Sequence, residues 1–110
     1  IIESYAFHGL KSVGSLILCL LPTCPIKQID PNAFFGLNTC DTIELTGIHT
    51  TLRSHSFSHM TSIRLLNLSH SDILHIHSYA FNHSEHIGTV DLSSSMISNL
   101  DSHAFDHLSN

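Results

Sequence analysis

The sequence predicts a single repeat solenoid, in which one short unit is wound into stacked coils that share a core. Two observations predict it. Phe7, Phe34, Phe57, Phe81 and Phe105 each close a matching pentad (ESYAF, DPNAF, RSHSF, HSYAF, DSHAF), at intervals of 27, 23, 24 and 24 residues. Six residues past each of the first four phenylalanines, an apolar triplet begins with spacing 0, 3, 5. It reads Val13, Leu16, Leu18; Cys40, Ile43, Leu45; Ile63, Leu66, Leu68; and Ile87, Val90, Leu92. One such unit cannot bury its own apolar face, whereas stacked copies bury a continuous one.

Each part of the unit has a physical reading. The last two members of the triplet alternate about a single residue, as in a short half-buried strand. Stacked units place these strands side by side in a parallel sheet, about 4.8 Å apart. Turn residues such as SHSD and SSSM follow. A second aliphatic pair comes next: Ile26 with Ile29, Ile73 with Ile76, and Ile97 with Leu100. An aliphatic residue precedes every pentad (Ile2, Ile29, Leu52, Ile76, Leu100), and Leu10, Leu37, Met60, Ser84 and Leu108 lie three residues after each phenylalanine. The phenylalanines themselves are expected to stack as a spine near the convex side. The division is a partial unit over 1–12, then units over 13–39, 40–62, 63–86 and 87–110, in one domain.

The fourth row, IRLLNLSHSDILHIHSYAFNHS, resembles the leucine-rich repeat. Its second half is similar to the 24-residue type common in extracellular proteins, with the pattern IxxIxxxAFxxL. The resemblance spans essentially the whole chain. It implies an α/β-type curved solenoid, with short parallel strands on the concave face and loops or short 3-10 turns on the convex face. It also implies a protein-interaction module, as in receptor ectodomains and secreted matrix proteins. Neither end carries the cysteine clusters with which the family caps its solenoids, so the chain reads as a fragment of a longer protein.

Departures from the pattern fall at three places. Ser71 and Ser95 stand where the family usually has asparagine, and a hydroxyl has fewer donors for the same backbone network. The 27-residue unit carries extra residues in CLLPTCP. Cys24 there and Cys40 beyond it read either as buried thiols or, for Cys24, as half of a Cys19–Cys24 disulfide closing the bulge. The 23-residue unit is one residue short, and Ile48 is expected to fill its core.

Composition limits the function classes. Apolar residues make up 42% of the 110 and charged residues 12%, which fits a folded chain. The formal charge of −5 gives no basic footprint for nucleic acid. No apolar run approaches the roughly 18 residues of a membrane span. There is no GxSxG, HExxH or glycine-rich phosphate loop, and no nucleophile beside an oriented base. No enzyme activity and no cofactor are expected.

The 11 histidines are the compositional anomaly. His59, His83 and His107 lie two residues after a phenylalanine. His55 and His103 lie two before one, in a column shared with Tyr5, Asn32 and Tyr79. The repeat therefore sets their spacing, and no residue is assigned as a metal ligand; a site from His83, His86 and His107 is the nearest alternative. Stacked imidazoliums repel, so stability is expected to fall as the pH drops from neutral to mildly acidic.

The recognition surface is expected on the outward side of the strands, at Ile17, Asp41, Thr42, Glu44, Arg64, Asn67, Thr89 and Asp91. Its central column, Ile17, Glu44, Asn67 and Asp91, is mildly acidic and suits a basic or polar protein partner, a ligand or co-receptor. Two N-x-S sequons mark Asn82 and Asn67 as glycosylation candidates, with Asn82 the more accessible. The location these features imply is extracellular or at the cell surface, in a parent open to membrane anchoring. An intracellular scaffold of the same fold and a histidine-based metal-binding or pH-sensing protein are the alternatives.

Overall fold

The computed structural model describes residues 1–10, 13–19, 24–37, 39–60, 62–84 and 86–106. Among these described residues, seven strands form in chain order: β1 (Val13–Cys19), β2 (Thr39–Leu45), β3 (His49–Leu52), β4 (Ser62–Asn67), β5 (Asp72–Ile76), β6 (Ile87–Asp91) and β7 (Met96–Ile97). They make two parallel sheets, ordered β1-β2-β4-β6 and β3-β5-β7. The bridges Ile2↔Ile29 and Ile76↔Leu100 continue the second sheet's pairing between coils. The chain is thus a parallel β-solenoid, with one core enclosed between a four-stranded and a three-stranded face.

The triplets explain the first sheet. Val13 pairs with Cys40, Cys40 with Ile63, and Ile63 with Ile87. Leu16, Ile43, Leu66 and Val90 make the next row. The third row departs at its first member. A register shift between Ile17 and Cys19 sets Cys19, not Leu18, opposite Leu45. Cys19 is buried and Leu18 only half-buried. Cys19 and Cys24 are joined as a disulfide with Cα atoms 5.0 Å apart. Cys40 is a free, buried thiol, and burial pushes its pKa up.

The second sheet corrects the expected back face. No described residue is helical, and strands β3, β5 and β7 stand where loops or 3-10 turns were implied. The reason is local. In DILHI the β-branched Ile73 and the later Ile76 point inward while Leu74 is exposed, and such residues suit a pleated, half-buried surface. The short unit joins this sheet through Thr50, which pairs with Ile73. Its hydroxyl donates to the Lys27 carbonyl at 2.9 Å, so a polar side chain is tolerated at a buried place. Ile48 is fully buried beside it.

The phenylalanines stack as one spine. Successive ring centroids from Phe7 to Phe105 lie 5.3, 5.3, 5.5 and 5.7 Å apart, with the planes within 20° of parallel. Phe34, Phe57 and Phe81 are fully buried, while Phe105 is 38% exposed.

Three corners of the coil require a left-handed backbone. They fall at Gly47, His70 and Ser94; at Tyr5, Asn32, His55 and Tyr79; and at Gly9, Gly36, His59 and His83. All have φ between +56° and +95°. The conformation turns the amide along the solenoid axis. Tyr5 donates to the Asn32 carbonyl, Asn32 to His55, His55 to Tyr79 and Tyr79 to His103, at 2.7–3.0 Å. Gly47 donates likewise to Ser69, His70 to Ser93 and His59 to Asn82. Histidine, like asparagine, enters this region several-fold more readily than most residues. Four of the histidines therefore sit where the coil needs a positive φ. His70→Gly is expected to raise stability by about 1 kcal/mol, because an exposed side chain in this region carries a steric cost that glycine lacks. A chemical denaturation midpoint checks it, with His70→Val moving the other way.

Candidate functional site

The outward side of the four-stranded sheet carries three columns, each fixed by the strand register. The first is Gly14, Asp41, Arg64 and Gly88. The second, Ser15, Thr42, Leu65 and Thr89, and the third, Ile17, Glu44, Asn67 and Asp91, are paired residue by residue. All eight expected surface residues lie in these columns.

The polar groups are held by one another. Arg64 grips Asp41 through two bonds, Nε to Oδ1 at 2.7 Å and Nη2 to Oδ2 at 3.1 Å. The same Nη2 donates to the Thr42 hydroxyl at 3.2 Å, and that hydroxyl donates to Asp41 Oδ2. Thr42 is only 7% exposed for this reason, so it supports the ion pair and is not free to meet a partner. The guanidinium holds the Asp41 carboxyl below the usual carboxylate range. Both partners are well exposed, and exposed pairs contribute little to stability.

The acidic column is equally ordered. Asn67 Nδ2 donates to Glu44 Oε2 at 2.9 Å, and the Thr46 hydroxyl donates to the same oxygen. Asn67 Oδ1 accepts from the amide and hydroxyl of Ser69. Asp91 accepts from Ser93, and those hydrogen bonds hold its carboxyl below the usual range. Ile17 stands at the head of the column, 58% exposed. Because Asp41 is neutralised by Arg64, the uncompensated charge of the face sits on Glu44 and Asp91.

An open groove of about 470 Å³ crosses the start of the strands, where Gly14 and Gly88 flank the Asp41–Arg64 pair. Gly88 is required by close approach: a Cβ there would lie 2.7 Å from the Arg64 carbonyl oxygen. Backbone cannot yield as a side-chain end can. Gly88→Ala is therefore expected to cost about 1–3 kcal/mol, as overpacking does. Thermal melts would show it, and an unchanged midpoint would mean that β6 has room to shift.

The two sequons occupy different settings. Asn67 lies inside the network just described. Asn82 is half-buried, less open than its turn position suggested, with Nδ2 3.4 Å from His55 Nδ1. Its sequon serine, Ser84, is fully buried.

The column reading of the histidines is partly visible. His59 and His83 have ring centroids 4.8 Å apart, and Phe35 lies 4.9 Å from His59. His107 falls outside the described residues. The His59 pKa is lowered, first by burial against these neighbours and second by the charges of His83 and His55. Repulsion is thus the lesser cause. The lowered value means that the unfolded chain binds more protons in mildly acidic solution. The His59 contribution is present above its unfolded value, near pH 6.5, and is lost as the pH falls through the folded one. His59 is exposed, so the effect is expected to be small. A melting temperature that falls on acidification less steeply in His59→Gln than in the wild type would display it, and parallel curves would refute it.

Two serines bridge the coils, Ser95 at the place where the family usually has asparagine and Ser84 three residues after a phenylalanine. Ser95 Oγ accepts from the Ser71 amide at 3.0 Å and donates to the Leu68 carbonyl at 2.9 Å. Ser84 Oγ accepts from the Met60 amide and donates to the Phe57 carbonyl. Each ties one coil to the next, as the family's asparagine was expected to do. The signal for Ser84 was present, since it is the one polar residue among the described members of its column.

A parallel β-solenoid that repeats one unit of about 24 residues, with an ordered polar sheet face, defines a repeat scaffold of the protein-interaction class. The BspA-type leucine-rich repeat region, in six copies, matches residues 1–110, and the chain belongs to that family. The match is to the BspA type and does not extend to the typical extracellular subtype suggested by the AF motif. No curated protein and no solved structure matches the chain.

Proposed function

We propose that this chain is the ligand-recognition part of a receptor ectodomain or secreted matrix protein, and that it acts by binding a protein and not by catalysis. The observation that carries this reading is the pre-organised face of β1, β2, β4 and β6. Asp41, Glu44, Arg64, Asn67 and Asp91 are already held by hydrogen bonds, so a partner does not have to order them, which lowers the cost of association. Glu44 and Asp91 supply an uncompensated acidic stripe for a partner with basic or polar groups, and Ile17 supplies an apolar contact beside it. BspA-type repeats often belong to surface or secreted proteins, which supports an extracellular or cell-surface location. A co-receptor, a membrane anchor on the parent, and a glycan at Asn82 in preference to Asn67 belong to the same reading.

The test compares partners captured by the wild type and by two variants that leave the core intact. Glu44→Lys with Asp91→Lys is expected to weaken capture at least tenfold. Leu74→Asp, exposed on the three-stranded face, is expected to leave it unchanged. The reverse pattern would move the recognition surface to the other sheet.

A further inference from the structure

We infer that His75, His77 and Asp101 form a divalent-cation site of the zinc class on the three-stranded face. Residues two apart on an extended strand point to the same side. His75 and His77 therefore project together, while Ile76 between them is fully buried. Their rings stack with centroids 4.0 Å apart and planes within 11°. The Ile76↔Leu100 bridge then sets Asp101 beside His77 in the next coil.

The donor atoms converge. His75 Nε2 lies 2.7 Å from Asp101 Oδ1, and His77 Nδ1 lies 3.6 Å from Oδ2. All three donors fall within 4.8 Å of one another. Ligands bound to zinc at about 2.0–2.1 Å and tetrahedral angles are about 3.3 Å apart. The two measured distances, each to a different Asp101 oxygen, bracket that edge, and no donor spacing exceeds it by more than about 1.5 Å, a closure that rotation of the two partly exposed rings supplies.

The surroundings fit. The Ser78 amide donates to Asp101 Oδ2 at 3.1 Å and fixes the carboxylate, as outer-shell partners of metal ligands do. All three side chains are half-buried, between 31% and 40% exposed, so they are both held and reachable. Two imidazoles and one carboxylate suit zinc, and three protein ligands leave a position open for water or a partner's donor. Arg53 occupies the place equivalent to His77 one coil away, which weighs toward moderate affinity. The site runs across two coils through a strand-end pair and does not fall in one of the axial histidine columns. The bracketing pair His-Ile-His, with an aspartate just after the next Leu100, was the available signal.

The test titrates zinc alone into the metal-free chain at neutral pH, by calorimetry and by NMR of the imidazole resonances. The first equivalent is expected to shift the His75 and His77 ring signals before those of the other histidines. His75→Ala and His77→Ala are each expected to weaken that site by on the order of 100-fold, a ligand's loss costing at least as much as an outer-shell partner's. His59→Ala with His83→Ala is expected to leave it intact. The inference is overturned if zinc leaves the wild-type His75 and His77 signals in place at one equivalent. It is also overturned if the double variant His75→Ala/His77→Ala binds as the wild type does. The NMR arm uses unaltered protein, so a variant that fails to fold does not decide the outcome.

Discussion

Phe81→Ala is expected to lower the unfolding free energy by about 3–5 kcal/mol. The side chain is fully buried and sits between Phe57 and Phe105 in the ring stack. Its removal loses the transfer free energy of an aromatic ring and leaves a void that two rigid neighbours cannot both close. The position in the stack adds to this. In a solenoid, each coil is stabilised by its contacts with the coil on either side. A gap in the spine therefore weakens two interfaces at once. Phe105→Ala, at a partly exposed end, is expected to cost clearly less. Urea denaturation of both variants checks the ranking, and equal midpoints for Phe81→Ala and wild type would remove the spine's structural role.

Ser84→Ala is expected to cost about 2–4 kcal/mol, although it deletes a single oxygen. That oxygen accepts from the Met60 amide and donates to the Phe57 carbonyl. Both groups belong to buried residues, so alanine leaves a donor and an acceptor without their partner. An unmade buried hydrogen bond costs the full desolvation of each group, which exceeds the net value of an average bond. Ser102→Ala, at an exposed place in the last described turn, is expected to stay within about 0.5 kcal/mol. Denaturation curves for the pair separate the two effects. A Ser84→Ala variant as stable as Ser102→Ala would mean that water replaces the hydroxyl.

The sequence by itself determined the interior of the middle coils, while toward the ends Leu10, Ile97 and Leu100 stay exposed and Leu18 gives its place to Cys19. The phenylalanine register, the triplets and the aliphatic pairs all follow from a core that repeats once per coil, and periodic burial leaves a periodic trace in composition. It also determined the outward column Ile17, Glu44, Asn67 and Asp91 of the first sheet, because side chains alternate along a strand and each of these lies between the last two residues of a triplet. Only the tertiary structure decided what depends on the axial register between coils. The second sheet forms because coil-to-coil hydrogen bonds reward an extended backbone over Asp72–Ile76, and single-unit periodicity over so short a stretch does not separate a strand from a loop. Cys19 displaces Leu18 because the chain bulges between Ile17 and Cys19. Thr42 is covered because Arg64 reaches across from the neighbouring strand. The histidines at three corners answer to a backbone angle, which no side-chain pattern encodes directly. His75, His77 and Asp101 meet because one bridge fixes the offset between β5 and the coil after it, so residues 24 or more apart in sequence come within ligand distance of one another.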